Sequence, residues 1–327
     1  MSPAAVAPLL HAAARIGWTE WTIHWSTVIG LAFLGALYLW RARAGPDPTG
    51  GADTLHGDPR ATRSSSPPRS PAAWQVLSFL AGLLVIFVSL NGPLHDLSDY
   101  YLFSAHMVQH LLLTLVAPPL LLLAIPGWML RPALRSRPIA TLARTVTRPA
   151  ACFASFNLTV IAWHVPALYN TAVAIHPVHI VQHLTFMAAA VLMWWPILGP
   201  LPELPRLSYP GQLLYCFLLS IPMSIVAIYI TYADVLLYPG YASAPRLWGL
   251  SPMDDQLVGG LIMWIPGGLF FWCVMSVVFF RWAGQDSDNH DGRDAPMPGN
   301  PASTLHPPVR APVPARSLDA ASTGTHP

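Results

Sequence analysis

Seven apolar stretches, most of them about as long as a lipid bilayer is thick and the fourth shorter, constrain this sequence more than any other feature. A helix needs about 20 mostly apolar residues to cross a hydrocarbon core of about 30 Å. Only 10% of the 327 residues are charged, against about 25% in ordinary soluble domains. The sequence therefore predicts an all-α, polytopic membrane bundle of about seven transmembrane helices, within residues 23–40, 73–90, 104–125, 151–165, 178–198, 211–232 and 256–280.

The arginines predict the orientation of these helices. All 17 basic residues are Arg, and only Arg15 and Arg246 lie outside the segments that follow the first, third, fifth and seventh spans. Short cytoplasmic loops carry an excess of positive charge. We therefore expect the N-terminus outside and the C-terminus inside.

Composition divides the chain into five parts. Residues 41–72 and 283–327 are rich in Pro, Gly, Ser and Asp, and they hold too few large apolar residues to offset the entropy cost of ordering them. We expect the first to be a disordered cytoplasmic loop and the second a disordered cytoplasmic tail. The other parts are an extracytoplasmic N-terminus at 1–22, a first transmembrane helix at 23–40 and a six-helix core at 73–282.

An internal repeat links two of the predicted hairpins. The third span opens with the pattern HxVQHL at His106, and the fifth opens with the same pattern 73 positions later, at His179. Pro93 and Pro166 are also 73 positions apart, so the two copies align without a gap. A weaker third copy, with Pro239 at the equivalent position, follows at the same offset. Parallel repeats of this kind occur in membrane proteins, and they predict that equivalent residues lie at equal depth.

Two histidine pairs are the strongest candidates for a functional site. His106 and His110 are four residues apart, as are His179 and His183, so each pair lies on one face of its helix. A histidine inside a membrane helix is costly and normally faces the protein interior or a water-filled cavity. The four imidazoles are predicted to bind one metal ion, since imidazole suits copper, zinc, iron and nickel. A hydrogen-bonded polar cluster or a proton relay is the alternative.

Several other side chains near the predicted outer face are candidates for additional ligands or for partners that orient the imidazoles. A thioether would favour Cu(I), and a carboxylate would fix the orientation of a ligating histidine. A lone histidine at a membrane interface is more often an anchor, and this alternative applies to His24, His95 and His176. The additional candidates are Met107, His164, His176, Asp96, Asp99, Asp254, Asp255 and Met253.

Other classes of function are less well supported. Two haem ligands come from two facing helices, whereas the spacing of four residues within one helix suits a small ion better than a macrocycle. The sequence has no HExxH motif, nucleophile elbow or phosphate-binding glycine loop, so we do not expect an enzyme. A net charge of +2 gives no electrostatic case for binding nucleic acid.

Three sequence blocks resemble the seven-helix CtaG-type cytochrome c oxidase assembly factors of bacteria. They are YLFSAHMVQHLLLTLVAPPLLLL at 101–123, HPVHIVQHLTFMAAAVLMWWPILGP at 176–200 and DDQLVGGLIMWIPGG at 254–268. The resemblance runs from the second to the seventh predicted helix and excludes the tail.

This resemblance implies a role in the assembly of a haem-copper oxidase, in the bacterial inner membrane. Combined with the histidine pairs, it predicts a non-enzymatic factor that binds Cu(I) near the outer face and passes it to oxidase subunit I or to an assembly intermediate. The alternative is a copper or proton-coupled membrane transporter that uses the same histidines.

Overall fold

The computed structural model describes residues 21–45 and 70–294, with side chains through residue 285. The chain divides into two units, Met1–Trp282 and Ala283–Pro327, and the described part of the second unit, 283–294, is helical. Most of the N-terminus, of the 41–72 loop and of the tail lies outside the described residues, so their predicted disorder stays a prediction.

The described regular elements are helical, and we name the main helices in chain order. They are α1 Trp25–Ala44, α2 Ala73–Leu90, α3 Gly92–Tyr100, α4 Phe103–Ala124, α5 Arg137–Val146, α6 Pro149–His164, α7 Pro166–Ala174, α8 His176–Leu198, α9 Tyr209–Thr231 and α10 Pro252–Asp294.

Six of these helices are long and apolar enough to cross a bilayer, and the pair α6 and α7, bent by 75°, would make a seventh. The predicted fold class is therefore confirmed, while the predicted orientation of the termini stays a prediction. The largest differences from the predicted bounds lie in the first and last spans, where α1 continues to Ala44 and α10 runs from Pro252 to Asp294.

A proline explains the bend after α6. Val165 has φ −62° and ψ 125°, because a residue that precedes proline is disfavoured in the helical conformation. Pro166 then occupies the first turn of α7, where its missing N–H costs nothing. The short fourth predicted span is thus half of a bent pair.

The repeat predicted from the sequence has a structural counterpart. In each of the first two copies a long helix leads into a nine-residue helix, α3 or α7, and then into a long helix that opens with the histidine pair. In the weaker third copy, α9 leads through a short helical turn at Pro239–Tyr241 into α10. Since α4 and α8 occupy equivalent positions, their histidines come to one end of the bundle, which we call the histidine end.

A π-helical turn at Leu112–Val116 interrupts α4 below its histidines. Pro118 has no N–H, so the carbonyl of Thr114 lacks its usual partner four residues on. The indole of Trp194 in α8 donates a hydrogen bond to that carbonyl at 3.0 Å. This bond ties α8 to α4 just beneath the site.

Two glycines in α10 make room for its neighbours. A Cβ atom at Gly259 would overlap the ring of Phe103, and one at Gly260 would overlap Thr231. The backbone of α10 therefore lies directly against the first residue of α4, and the fit depends on Gly259.

Replacing Gly259 with alanine should destabilise the protein by about 1–3 kcal/mol, the usual cost of forcing an extra methyl group into a packed interior. Gly268 in the same helix has no neighbour within 4 Å of the position that an added methyl group would take, so Gly268→Ala is the matched control. Thermal unfolding in detergent should show a lower midpoint for G259A alone. Equal midpoints for the two variants would contradict this packing.

Candidate metal centre

The start of α4 and the start of α8 bring the two histidine pairs together. Ring centroids are 5.4 Å apart for His106 and His179, 5.8 Å for His106 and His183, and 5.4 Å for His110 and His183. Each of the four side chains is at most 6% exposed. The structure thus places the four imidazoles side by side, while their role as metal ligands stays a prediction.

Asp99, at the end of α3, adds a carboxylate to this cluster. One oxygen, Oδ2, lies 3.5 Å from Nδ1 of His179 and 3.4 Å from Nε2 of His95. Ligand atoms of Asp99, His106 and His179 all lie within 4.8 Å of one another, and among the described residues no other group of three does so. Asp99, expected from the sequence only to orient imidazoles, is therefore itself a ligand candidate.

Burial favours the uncharged forms of Asp99 and His95 on α3, which lies outside the membrane spans. It raises the pKa of Asp99 to about 7. It also lowers the pKa of His95 to about 3, an effect to which the neighbouring histidines add. Neutral imidazole is the form in which histidine binds a metal.

The glutamine of the HxVQHL motif in α4 positions His95. The side-chain amide of Gln109 donates to the carbonyl of Ser89 at 2.6 Å and lies 3.1 Å from Nδ1 of His95. Gln109 is fully buried. The motif therefore supplies both ligand candidates and a side chain that fixes a neighbouring histidine on α3.

Most imidazole nitrogens of the cluster have no hydrogen-bond partner. The exceptions are Nδ1 of His106, 3.4 Å from the hydroxyl of Tyr241, and Nδ1 of His179, next to Asp99. Within the described part of the chain, the other six nitrogens of the four histidines are buried and unpaired. Each buried, unpaired polar atom costs about 1–3 kcal/mol, and native proteins contain few of them.

Three further histidines extend the cluster outward. The rings of His24 and His95 are 4.3 Å apart, and those of His24 and His176 are 6.3 Å apart. Burial lowers the pKa of His24. These three residues line a cavity of about 460 Å³ that also reaches His179 and His183. The sequence alone favoured separate interface anchors, whereas the structure joins these histidines to the main cluster.

The segment before α1 is held against α3 by polar contacts. The backbone N–H of His24 donates to the side chain of Asn91 at 2.8 Å, and the hydroxyl of Thr22 donates to Asp96 at 2.7 Å. Asp96 is thus engaged with Thr22, on the segment that carries His24.

Two of the predicted carboxylates cap helices. Asp255 is 2% exposed, and it accepts hydrogen bonds from the backbone N–H groups of Phe103 at 2.7 Å and Ser104 at 3.1 Å. It therefore caps α4 from a different helix. Asp254 accepts a hydrogen bond from Ser251 at the start of α10, and the neighbouring Met253 is 37% exposed. The structure places these three residues at helix starts and not among the imidazoles.

His164 and Met107 lie beneath the cluster, on the side of His110. The ring of His164 is 6.2 Å from that of His110, and Met107 is 1% exposed. Both side chains line a small cavity together with His110. The structure therefore brings these two additional ligand candidates close to the predicted site.

The fold and the site define a multi-pass helical membrane protein with a buried histidine cluster at one end of its bundle. The family model described as "Cytochrome c oxidase caa3 assembly factor (Caa3_CtaG)" matches residues 59–285. The chain belongs to this family, and the resemblance drawn from the three sequence blocks is confirmed.

Two curated relatives are uncharacterized proteins, one from Mycobacterium bovis and one from Mycobacterium tuberculosis. Each is 26% identical to this chain over an alignment of 204 residues, and the match covers 57% of this chain and 30% of the relative. The chain thus spans about a third of the length of these relatives. No solved structure is significantly similar to it.

Proposed function

We propose that this protein is a non-enzymatic assembly factor for a haem-copper cytochrome c oxidase in the bacterial inner membrane. It holds Cu(I) among His106, His110, His179 and His183 and passes the ion to subunit I or to an assembly intermediate of the oxidase. Membership of the family supports the role in oxidase assembly, and the histidine cluster supports the binding of Cu(I).

The six buried, unpaired imidazole nitrogens carry this proposal. A neutral imidazole has one donor and one acceptor nitrogen, and burying them without hydrogen-bond partners lowers the stability of the fold. A metal ion would satisfy the acceptor nitrogens of several rings at once, and metal-binding residues are one of the recognised reasons for such unpaired groups.

The position of the cluster supports transfer. The imidazoles lie within about two helical turns of the start of α4 and α8, and the 460 Å³ cavity extends from His24 and His176 to His179 and His183. Farther along the bundle, large apolar side chains such as Phe156, Phe186 and Trp194 fill the interior. This arrangement favours retention of an ion near one membrane face over its passage across the bilayer.

The proposal is tested in cells that lack the protein and receive a variant in its place. With both His106 and His179 replaced by alanine, cytochrome c oxidase activity of the membranes should fall to the level of cells without the protein, because copper no longer reaches the oxidase. Immunoblots of the membrane fraction show whether the variant inserts.

The matched control replaces two histidines of the tail, His306 and His326, so that the same number of imidazoles is lost. This control should support full oxidase activity. Full activity with the cluster variant would overturn the proposal. Cu(I) flux into sealed vesicles that the same two substitutions abolish would favour a transporter instead.

A further inference from the structure

Three methionine side chains and two histidines surround a small cavity beneath the cluster. Its volume is about 20 Å³. Met107 belongs to α4, Met223 to α9 and Met263 to α10, and all three are at most 5% exposed. The histidines that share this cavity are His110 and His164.

The hydrogen bond of His164 fixes which of its nitrogens is free to bind. Nδ1 lies 2.7 Å from the carbonyl oxygen of Val160. Since a carbonyl only accepts, Nδ1 carries the hydrogen, and the lone pair is left on Nε2. Nε2 is buried without a partner, as are both nitrogens of His110. In its neutral form His164 therefore has an unused acceptor nitrogen, Nε2.

The packing of α9 against α10 holds one of the thioethers in place. A Cβ atom at Gly267 would lie 2.6 Å from the terminal methyl carbon of Met223. The absence of a side chain at Gly267 therefore leaves the space that the end of Met223 occupies. Both residues follow helix prolines, Pro222 and Pro266.

The size and lining of the cavity suit one small, soft ion. A cavity needs about 10–15 Å³ to hold a single water molecule, so this one accommodates one small guest. Water requires two to four polar partners, whereas thioether sulfur is only a weak acceptor. Thioether and imidazole together are the ligands that select Cu(I) over harder cations.

We propose that His110, His164, Met107, Met223 and Met263 form a second Cu(I) site, which shares His110 with the histidine cluster and contains no residue of the group of Asp99, His106 and His179. This inference rests on the proposed function and specifies it, because it assigns selection of Cu(I) to thioethers from three helices. The ion moves between the two sites by exchange of ligands, as Cu(I) throughout, so no electron is gained or lost.

X-ray absorption at the copper edge tests this site directly. Purified full-length protein without a polyhistidine tag is loaded with Cu(I) under anaerobic conditions. The expected spectrum contains a sulfur shell beside the nitrogen shell. Replacing the three methionines by leucine should remove the sulfur shell and lower the affinity for Cu(I) at least about tenfold, the smaller of the losses seen when partners of a metal site are removed.

Leucine nearly conserves the volume of methionine, so the fold should tolerate each substitution. Met129→Leu is the matched control, since Met129 is buried in a separate cluster with Tyr38 and Phe79. This control should keep the sulfur shell. Should the triple variant fail to insert, Met223→Leu alone is expected to reduce the sulfur contribution.

The outcomes separate the two proposals. Bound Cu(I) with a wild-type spectrum of nitrogen and oxygen ligands only would overturn the thioether site and leave the proposed function standing. A sulfur shell that persists in the triple variant would also overturn it. A wild-type protein that retains no Cu(I) would overturn both.

Discussion

Replacing both His106 and His179 with alanine is expected to weaken Cu(I) binding at the site of Asp99, His106 and His179 by at least about 100-fold, the upper end of the losses caused by removing partners that only support a metal site. These residues supply two of the three ligand atoms that lie within 4.8 Å of one another. They also come from different helices, so the double variant leaves Asp99 without either neighbouring ligand.

Competition with a chromophoric Cu(I) chelator measures this loss on the untagged, detergent-purified protein. The variant with alanine at His306 and His326 removes the same number of imidazoles and should bind like the wild type. Equal affinities for the wild type and the cluster variant would place the bound ion elsewhere in the chain.

Replacing Asp255 with alanine should lower the free energy of unfolding by about 3 kcal/mol. Hydrogen bonds to a charged group contribute about 1.5–3 kcal/mol each, and loss of the carboxylate leaves buried donors unpaired. The carboxylate also lies at the N-terminal end of α4, where the helix dipole favours negative charge. Because α4 carries His106 three residues after Phe103, the same substitution should loosen the cluster.

Two control variants distinguish the loss of the capping hydrogen bonds from the loss of negative charge. Asp255→Asn keeps an oxygen that accepts from one backbone N–H, so its loss of stability should be smaller than that of Asp255→Ala. Asp254→Ala removes the exposed side chain that pairs with Ser251 at the start of α10, and it should cost about 1 kcal/mol, as loss of a helix cap does. Thermal unfolding in detergent ranks the three variants, and a rank with Asp254→Ala as the least stable would refute the role of Asp255.

The sequence predicted the structure correctly where all the residues of a pattern lie within one helix. The length of the apolar stretches predicted the membrane spans. The spacing of four residues predicted that His106 and His110 share one face of their helix, as do His179 and His183. The offset of 73 positions predicted that the two pairs lie at equal depth, because equal connections place α4 and α8 in equivalent positions. These are local or repeated features, and they do not depend on how distant helices pack.

The contribution of α3 was harder to predict. Its nine residues are too few and too polar to register as a span, so sequence patterns alone favour a loop there. A signal was nevertheless present, since His95 and Asp99 are four residues apart and thus share one face of a helix. The repeat would have supported that helix, because α7 occupies the equivalent place in the second copy.

The thioethers and the cap could not be found from sequence patterns. Met223 and Met263 lie in different helices, at a spacing that carries no information, and only the packing of α9 and α10 brings them next to His110. Asp255 and Phe103 are 152 positions apart in the chain. Because Asp254 and Asp255 are adjacent at a helix start, the sequence predicted similar roles for both. In the structure, Asp254 pairs with Ser251 at the start of its own helix, whereas Asp255 caps α4.

Anaerobic titration of the wild-type protein with Cu(I) against a competing chelator tests most directly whether the buried imidazoles bind copper. We expect saturable binding of at least one Cu(I) per chain, retained after removal of the chelator and reduced by at least one Cu(I) per chain when the four cluster histidines are replaced. Release of all copper to the chelator by the wild type, or equal retention by the variant that lacks the four histidines, would contradict copper binding by the cluster.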